Sequence, residues 1–369
     1  MENPKWVLIE PTDRCNTECL HCNHYGKVFG EDMHDEIAQK AIDALIEDAD
    51  LITIQGDGEP LIAKPFFEIA DACEEKGVSF NFTTNGIKLQ DKKIVEKLVR
   101  QSADICISAD GANEKAFNFL RPKLKWSHLL EALDLVVQCQ KEAGTDNKSK
   151  LHFLCVATKE TFGDFPELIK FASKYNVKSI VVQALMGTRP ARQSPFKAPK
   201  IMATATLEGM AKAKELRIEI SLPPSFIETA CKYASIKGNN WQKSLSPNAI
   251  KILDELLEKA KSDQTTVIEK KKWGMSYCPD PWKTTFVGSN GKVYPCCTKS
   301  QILGDLNTQD WDDIWNSQTY KSFRYTVYSW NPPKSCRFCG IPHGINGGDY
   351  LRYLMYFINT ERNTSCMFS

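Results

Sequence analysis

The stretch KWVLIEPTDRCNTECLHC, residues 5–22, combines the two patterns that decide the fold. Its first part is a run of apolar and β-branched residues, which is typical of a buried strand. Its second part places Cys15, Cys19 and Cys22 within eight positions. A structural zinc ion takes four ligands and a disulfide takes two cysteines. Three thiols in one loop therefore predict a metal site that keeps one position open.

Five more apolar runs follow the first strand, and helix-like patterns separate them. They are LITIQ (51–55), VSFNFT (78–83), DICIS (104–108), LHFLCVA (151–157) and KSIVVQA (178–184). Strands that alternate with helices predict a parallel sheet with right-handed crossovers. Because the count stops near six, we predict an α/β fold of the TIM type that forms a partial (β/α)6 barrel.

Ligands of parallel α/β sheets bind beyond the carboxyl ends of the strands, which is where the three cysteines fall. After the sixth strand the chain changes character, first to a proline- and arginine-bearing loop and a helix, then to a cysteine-rich region. We expect a barrel core over 1–186, a loop and helical connecting segment over 187–275, and a small C-terminal domain over 276–369.

The composition narrows the classes of partner. The 47 basic and 46 acidic residues nearly cancel, so no field for binding nucleic acid is indicated. No signal peptide and no apolar stretch of about 18 residues is present, so we expect a cytoplasmic protein without a membrane partner. Thiols stay reduced there, and clustered cysteines indicate metal ligands. Four scattered cysteines in apolar patterns indicate packing instead: Cys73, Cys106, Cys139 and Cys155.

Three cysteines in the loop after the first strand of such a barrel resemble the radical S-adenosylmethionine (SAM) superfamily. The resemblance implies that Cys15, Cys19 and Cys22 hold a [4Fe-4S] cluster whose fourth iron binds SAM. It also implies that an electron, from a donor such as flavodoxin or ferredoxin, cleaves SAM to a 5'-deoxyadenosyl radical that takes hydrogen from a substrate.

Two further turns match the family pattern. GDGEP (56–60) resembles the Gly-Gly-Glu segment of the family, where Gly58 allows close backbone approach and Glu59 accepts from the SAM ammonium group. Asp57 departs from the first glycine of that pattern. In TTNG (83–86), Asn85 either points into the SAM site or simply forms a good turn.

The resemblance also implies SAM contacts near the later strands. Ser108, which ends the fourth strand, matches the residue that binds the SAM ribose. Arg121 falls where related enzymes place an arginine against the SAM carboxylate, and a surface salt bridge is the alternative. Gln183 and Leu185 lie where the adenine is usually held.

The C-terminal cysteines resemble another part of the same superfamily. Cys278, Gly291 and Cys296 in CPDPWKTTFVGSNGKVYPC resemble the opening of a SPASM domain, and CRFC supplies Cys336 and Cys339. The resemblance is closer to the shortened form, the twitch domain, and implies one auxiliary [4Fe-4S] cluster with four thiolates. A structural zinc ion is the alternative.

The fate of the substrate radical stays open between oxidation, epimerisation and crosslinking. Cys297 and Cys231 are candidate hydrogen-atom donors, and packing is the alternative for each. Because the chain begins almost at the first strand, with no room for a leader-peptide-binding module, we expect a small polar metabolite such as a sugar or aminocyclitol, oxidised or epimerised by an oxidoreductase or epimerase. Radical modification of a peptide or protein side chain is the alternative, and a zinc-binding structural protein is an alternative of another class.

Overall fold

The six apolar runs form strands in the computed structural model, which describes residues 2–22, 30–144, 148–185, 193–236, 240–270, 278, 280–328, 333 and 336. For residues 259–270 it describes the backbone alone. Each of the six strands lies within one residue of its predicted bounds. The described strands are β1 (Trp6–Ile9), β2 (Leu51–Ile54), β3 (Ser79–Thr84), β4 (Asp104–Ser108), β5 (Lys150–Ala157), β6 (Ser179–Ala184), β7 (Glu219–Ser221), β8 (Thr284–Val287), β9 (Lys292–Tyr294) and β10 (Gly304–Asp305).

Helices alternate with these strands as the sequence pattern predicts. The described α-helices are α1 (Asp35–Leu45), α2 (Lys64–Lys76), α3 (Lys92–Arg100), α4 (Glu114–Leu120), α5 (Trp126–Glu142), α6 (Phe165–Ser173), α7 (Pro199–Leu216), α8 (Pro224–Ala234), α9 (Pro247–Lys270), α10 (Asp280–Lys283), α11 (Trp311–Trp315) and α12 (Gln318–Tyr328). None of the helices in the described ranges is both long and apolar enough to cross a membrane.

The described residues divide into two compact units. The first unit takes in the chain up to Ile107, Ser127–Lys150 and the described residues from 278 onward. Its strands follow the order β10-β9-β8-β1-β2-β3-β4. β8 and β1 to β4 are parallel to one another, and β9 and β10 are antiparallel additions.

β8 is a strand that the sequence pattern did not predict. It pairs with β1 along its whole length, from Trp6 opposite Thr284 to Ile9 opposite Val287. All four residues of β8 and all four of β1 are buried. The C-terminal cysteine-rich region therefore continues the parallel sheet of the first unit on the far side of β1.

The second unit takes in Ser108–Trp126 and the described residues between Leu151 and Lys270. β5, β6 and β7 are parallel there, and Ser179 of β6 lies opposite Glu219 of β7. α7 packs against α8 and α9, and its core includes Leu207, Trp241 and Leu253. The segment predicted as loop and helices over 187–275 thus also supplies one strand, and its boundaries stay a prediction.

Candidate functional site

The three-cysteine loop is held at its base by the chain that returns toward α1. Thr12 and Asp32 form an antiparallel bridge, and the Asp13 amide donates to the Glu31 carbonyl at 3.2 Å. The Arg14 Nε donates to the Asp32 carboxylate at 2.9 Å. The loop therefore leaves and rejoins the first unit at a fixed point, although residues 23–29 lie outside the described residues.

Cys15, Cys19 and Cys22 are all half-buried, in one short stretch of turns. The buried Thr17 hydroxyl lies 3.3 Å from the Cys15 sulfur and 3.7 Å from the Cys19 sulfur. The Cys22 amide donates to the Cys19 carbonyl at 3.1 Å. Burial raises the pKa of the Cys15 thiol, whereas its hydrogen bonds to Thr17 lower it. Metal binding reverses that balance because the ligand is the thiolate.

The turn after β2 lies directly against the base of this loop. The α-carbon of Gly58 is so close to the carbonyl oxygens of Thr12 and Arg14 that any side chain would collide with them. The next amide, that of Glu59, donates to the Arg14 carbonyl at 2.8 Å. The close approach predicted for Gly58 is present, and its partner is the chain just before Cys15.

Glu59 is a buried carboxylate, 3 % exposed, that three groups orient. Its Oε1 accepts from the Thr84 hydroxyl at 2.6 Å and from the Leu61 amide at 3.3 Å, and its Oε2 accepts from the Asn85 amide at 2.7 Å. Hydrogen bonds of this kind stabilise the ionised form. The carboxylate is thus fixed between the ends of β2 and β3.

Asn85 forms the turn that was one of its two interpretations and also contacts the cysteine loop, while a contact with SAM stays a prediction. Its side-chain oxygen accepts from the Ile87 amide at 3.0 Å, within a turn that contains Gly86 at φ 87°. Its side-chain nitrogen donates to the Asn16 side chain at 2.7 Å, and Asn16 follows Cys15. The turn after β3 is therefore tied to the cysteine loop.

In the second unit, Arg121 forms a buried ion pair rather than the surface salt bridge that was the alternative. Its Nε donates to the Asp110 carboxylate at 2.6 Å, and the two side chains are 5 % and 0 % exposed. The other Asp110 oxygen accepts from the Val156 amide of β5 at 2.8 Å. Ser108 is buried at the end of β4, while Gln183 and Leu185 are half-buried at the end of β6.

Three of the four predicted auxiliary ligands lie in the described residues. Cys278 precedes α10 and is buried. Cys296, which follows β9, and Cys336, whose neighbours in sequence lie outside the described residues, are half-buried. Cys339 lies outside the described residues.

Arg324 is a buried cation near the auxiliary cysteines that the sequence analysis missed. Its guanidinium lies against an edge-to-face pair formed by the rings of Trp315 and Tyr320, 4.1 Å from each centroid. It donates to the carbonyls of Pro281 and Trp315 at 2.8 and 2.9 Å, and its Nη2 has no partner among the described residues. Burial lowers its pKa to about 10, so it stays charged at neutral pH. No carboxylate in the described part of the chain pairs with it.

The two candidate hydrogen donors are both half-buried. Cys297 directly follows Cys296, and Cys231 lies on α8, where burial raises the pKa of its thiol. By contrast, the four cysteines predicted to pack are fully buried, and burial raises the pKa of Cys73 and Cys106 to about 12. Isolated buried thiols of this kind pack as small apolar side chains.

The donor sets fit iron-sulfur clusters. No three His, Cys, Asp or Glu side chains in the described ranges converge closely enough to hold one metal ion. Each thiolate of a [4Fe-4S] cluster binds a different iron, so its sulfurs stand apart. At the C-terminal set, an anionic cluster would also supply a counter-charge for the buried Arg324, which has no carboxylate partner among the described residues. The fold and these two cysteine sets are those expected of a protein that binds iron-sulfur clusters through thiolates.

Comparison with known proteins identifies the family. The radical SAM superfamily model matches residues 9–172, and the SPASM iron-sulfur cluster-binding domain model matches residues 278–340. The chain therefore carries a radical SAM domain followed by a C-terminal SPASM domain. SAM and [4Fe-4S] clusters, including an auxiliary type, are the cofactors of these domains.

Several curated relatives match parts of the sequence. Mycofactocin maturase MftC of Mycolicibacterium smegmatis is 26 % identical over 177 residues, which are 47 % of this chain and 43 % of the relative. A tungsten-containing aldehyde ferredoxin oxidoreductase cofactor-modifying protein of Pyrococcus furiosus is 25 % identical over 197 residues, 50 % of this chain and 53 % of the relative. These two matches span about half the length of each relative. An AdoMet-dependent heme synthase of Methanosarcina barkeri is 24 % identical over 332 residues, 87 % of this chain and 85 % of the relative.

Solved structures share the fold. Streptococcus suis SuiB bound to precursor peptide SuiA has a TM-score of 0.58 at 16 % identity, over 88 % of this chain and 67 % of SuiB. Native anSMEcpe with bound AdoMet and the Cp18Cys peptide has a TM-score of 0.59 at 16 % identity, over 96 % of each chain. These likenesses confirm the predicted α/β fold class.

Proposed function

We propose that this radical SAM enzyme modifies a side chain of a peptide or protein. The proposal rests on the names of the proteins that this chain resembles. One relative is named a maturase, and another is named a cofactor-modifying protein. Two structures that share its fold are described with a bound precursor peptide and a bound cysteine-containing peptide. The two bound peptides favour a peptide or protein substrate, and the maturase name agrees with such a substrate.

The expectation of a small sugar-like metabolite finds no support in these comparisons, and the alternative of peptide modification fits them better. The zinc-binding structural alternative fits them poorly as well, because the C-terminal match is to an iron-sulfur domain. The oxidoreductase or epimerase subtype and the electron donor belong to the proposal.

When bound, SAM and the loop cluster supply a radical that takes hydrogen from the substrate. In the proposal, Glu59 accepts from the SAM amino group, because its buried carboxylate is already fixed beside the base of the cysteine loop. Gly58 allows the chain to approach, and Asn85 supports the loop through Asn16.

The remaining proposed SAM contacts rest on the family resemblance. Ser108 binds the ribose, Gln183 and Leu185 hold the adenine, and Arg121 receives the carboxylate. Asp110 holds the Arg121 guanidinium in place through its Nε, and a guanidinium carries further donors for a ligand. Asp110 is in turn fixed by the β5 backbone.

Cys297 and Cys231 separate the outcomes of the reaction. A thiol that donates a hydrogen atom to the substrate radical gives epimerisation, while loss of an electron to the auxiliary cluster with loss of a proton gives oxidation. Each thiol is half-buried, which leaves part of its surface accessible. Alanine at either position distinguishes the donor from a packing residue.

The test is anaerobic incubation of the reconstituted full chain with SAM, dithionite and synthetic peptides encoded beside its gene, in deuterated water. We expect one peptide to gain a deuterium at a carbon, or to become two hydrogens lighter. The matched control is the triple variant C15A/C19A/C22A, which should leave every peptide unchanged. A panel of unaltered peptides alongside an altered sugar or aminocyclitol would overturn the proposal.

A tetrapyrrole is the second candidate substrate, and one observation favours it. The match to the heme synthase spans 332 residues, whereas the maturase match spans 177. The same incubation with an iron coproporphyrin in place of the peptides tests it. Loss of carboxyl groups from the porphyrin, with no altered peptide, would favour this candidate.

A further inference from the structure

The observation that leads furthest is a chain of polar contacts between the two cysteine-bearing loops of the first unit. It begins at Glu10, directly after β1. This carboxylate is 3 % exposed, and its Oε1 accepts from the Asp57 amide at 2.7 Å. Its Oε2 accepts from the Ser289 amide, which follows β8, at 3.2 Å. One buried carboxylate thus binds the chain after β2 and the chain after β8.

Lys299 supplies the cation that this buried carboxylate needs. Its Nζ lies 2.9 Å from Glu10 Oε1 and 2.9 Å from Asp57 Oδ2. The ammonium also lies 4.7 Å from the centre of the Phe286 ring on β8. These two carboxylates and the aromatic ring fix the position of the Lys299 ammonium group.

The backbone of Lys299 belongs to the turn that follows the auxiliary ligand Cys296. Its amide donates to the Cys296 carbonyl at 3.1 Å. Its φ is 48°, in the left-handed region that residues other than glycine seldom adopt. Such a conformation persists where the surroundings over-determine it, and the two carboxylates at the side-chain end do so here.

At the other end, Asp57 and Gly58 join Lys299 to the loop of the first cluster. Gly58 lies against the Arg14 carbonyl, and the Glu59 amide donates to that same oxygen at 2.8 Å. Arg14 directly precedes Cys15. The contacts therefore run without a break from Cys296 through Lys299, Asp57 and Gly58 to Cys15.

The structure explains why GDGEP has an acidic residue at position 57. The family pattern places a glycine where this chain has Asp57. In the structure its carboxylate is one of the two that hold Lys299. An acid at 57 and a lysine at 299 form a pair across 242 residues of chain.

We propose that Lys299 is a positioning residue that sets the separation of the two iron-sulfur clusters, by tying the turn after Cys296 to Glu10 and Asp57. In the proposed oxidation, the substrate radical forms at the first cluster and loses its electron to the second. A fixed separation of the clusters therefore keeps the length of that electron path constant while substrate binds and leaves. The proposal concerns the enzyme before substrate enters and does not depend on the substrate class.

The test measures the distance between the two reduced clusters by pulsed electron paramagnetic resonance, in the reconstituted full chain without substrate. The wild-type protein and K299R should give the same narrow distance distribution, because arginine keeps the charge. K299M should broaden the distribution and shift its mean. D57N should resemble the wild type, because the amide oxygen still accepts from lysine, whereas D57G should broaden the distribution.

K299M leaves Glu10 buried without its cation and is at risk of not folding, so the double variant E10Q/K299M removes both charges together. It should broaden the distribution as K299M does. The control is K292M, which breaks the ion pair between Lys292 and Asp305 in the same region without touching the turn at 56–58. A wild-type distribution in E10Q/K299M, or equal broadening in K292M, would overturn the proposal.

Discussion

The two cysteine sets of this enzyme are built in opposite ways. Cys15, Cys19 and Cys22 stand in one loop that closes on itself through Thr12, Arg14 and Asp32. The C-terminal ligands are separated by the β8–β9 hairpin and by α10 to α12. The first set therefore exists as soon as a local turn forms, while the second exists only when distant elements pack together.

Their charges differ as well. Arg14, beside the first set, is already neutralised by the Asp32 carboxylate. Arg324, which donates to the Pro281 carbonyl just after Cys278, is buried and has no carboxylate partner in the described residues. A SAM molecule brings its own charged groups to the open first cluster, whereas a cluster closed by four thiolates is a net anion. This difference agrees with the proposed roles, a reactive first site and an electron-carrying second one.

Breaking the first set should have the largest effect. Alanine at Cys15, Cys19 or Cys22 removes one of three ligands, and we expect formation of 5'-deoxyadenosine to be abolished. Chromatography of the anaerobic reaction with dithionite measures it. The control C73A removes a buried packing thiol and should retain cleavage. Cleavage that persists in the triple alanine variant would contradict the assignment.

Breaking the second set should separate SAM cleavage from product formation. C278A removes a buried ligand, and we expect it to lose the auxiliary cluster while SAM is still cleaved. The measurements are iron content per chain and the ratio of product to 5'-deoxyadenosine. If the modified peptide forms at the wild-type ratio, the second cluster has a structural role only.

The sequence predicted the local part of this comparison well. The six strands match because each is a compact β-branched run, and Gly58, Glu59 and Asn85 lie against the loop base or one another as the turns indicate. β7 was not predicted, because Glu219–Ser221 is only three residues long and lacks an apolar run.

Contacts between residues far apart in the sequence could not be predicted from local sequence patterns. β8 joins β1 across 278 positions, and Lys299 reaches Glu10 across 289. A lysine after a cysteine pair has no local feature that tells it from a solvated one. Arg324 was missed for the same reason, because only packing buries its charge.

The variant E59Q tests whether Glu59 binds the amino group of SAM. Glutamine keeps the size of the side chain but loses the charge that binds an ammonium group, so the Kd for SAM should rise about tenfold, or about 1.4 kcal/mol. Equilibrium dialysis with the reconstituted protein measures it, and thermal unfolding checks that the contacts to Thr84 and Asn85 survive. An unchanged Kd would place the amino group elsewhere.

The smallest effect concerns the charge near the second set. R324M removes a buried cation, so the reduced and more negative cluster loses stabilisation and its potential should fall, on the order of tens of millivolts. R324K keeps a charge and should fall less. Potentiometry followed by electron paramagnetic resonance measures both variants. Equal potentials in wild type and R324M would show that the guanidinium does not act on the cluster.

The parallel pairing of β8 with β1 has a consequence for biosynthesis. One edge of β1 is covered by β2 soon after the ribosome has made residue 54, but the other edge waits for residues 284–287. During that interval a buried, apolar strand carries unpaired backbone groups, which is the feature that promotes aggregation between nascent chains. Fragments that end before residue 284 should therefore accumulate in inclusion bodies, whereas chains that contain β8 close the sheet.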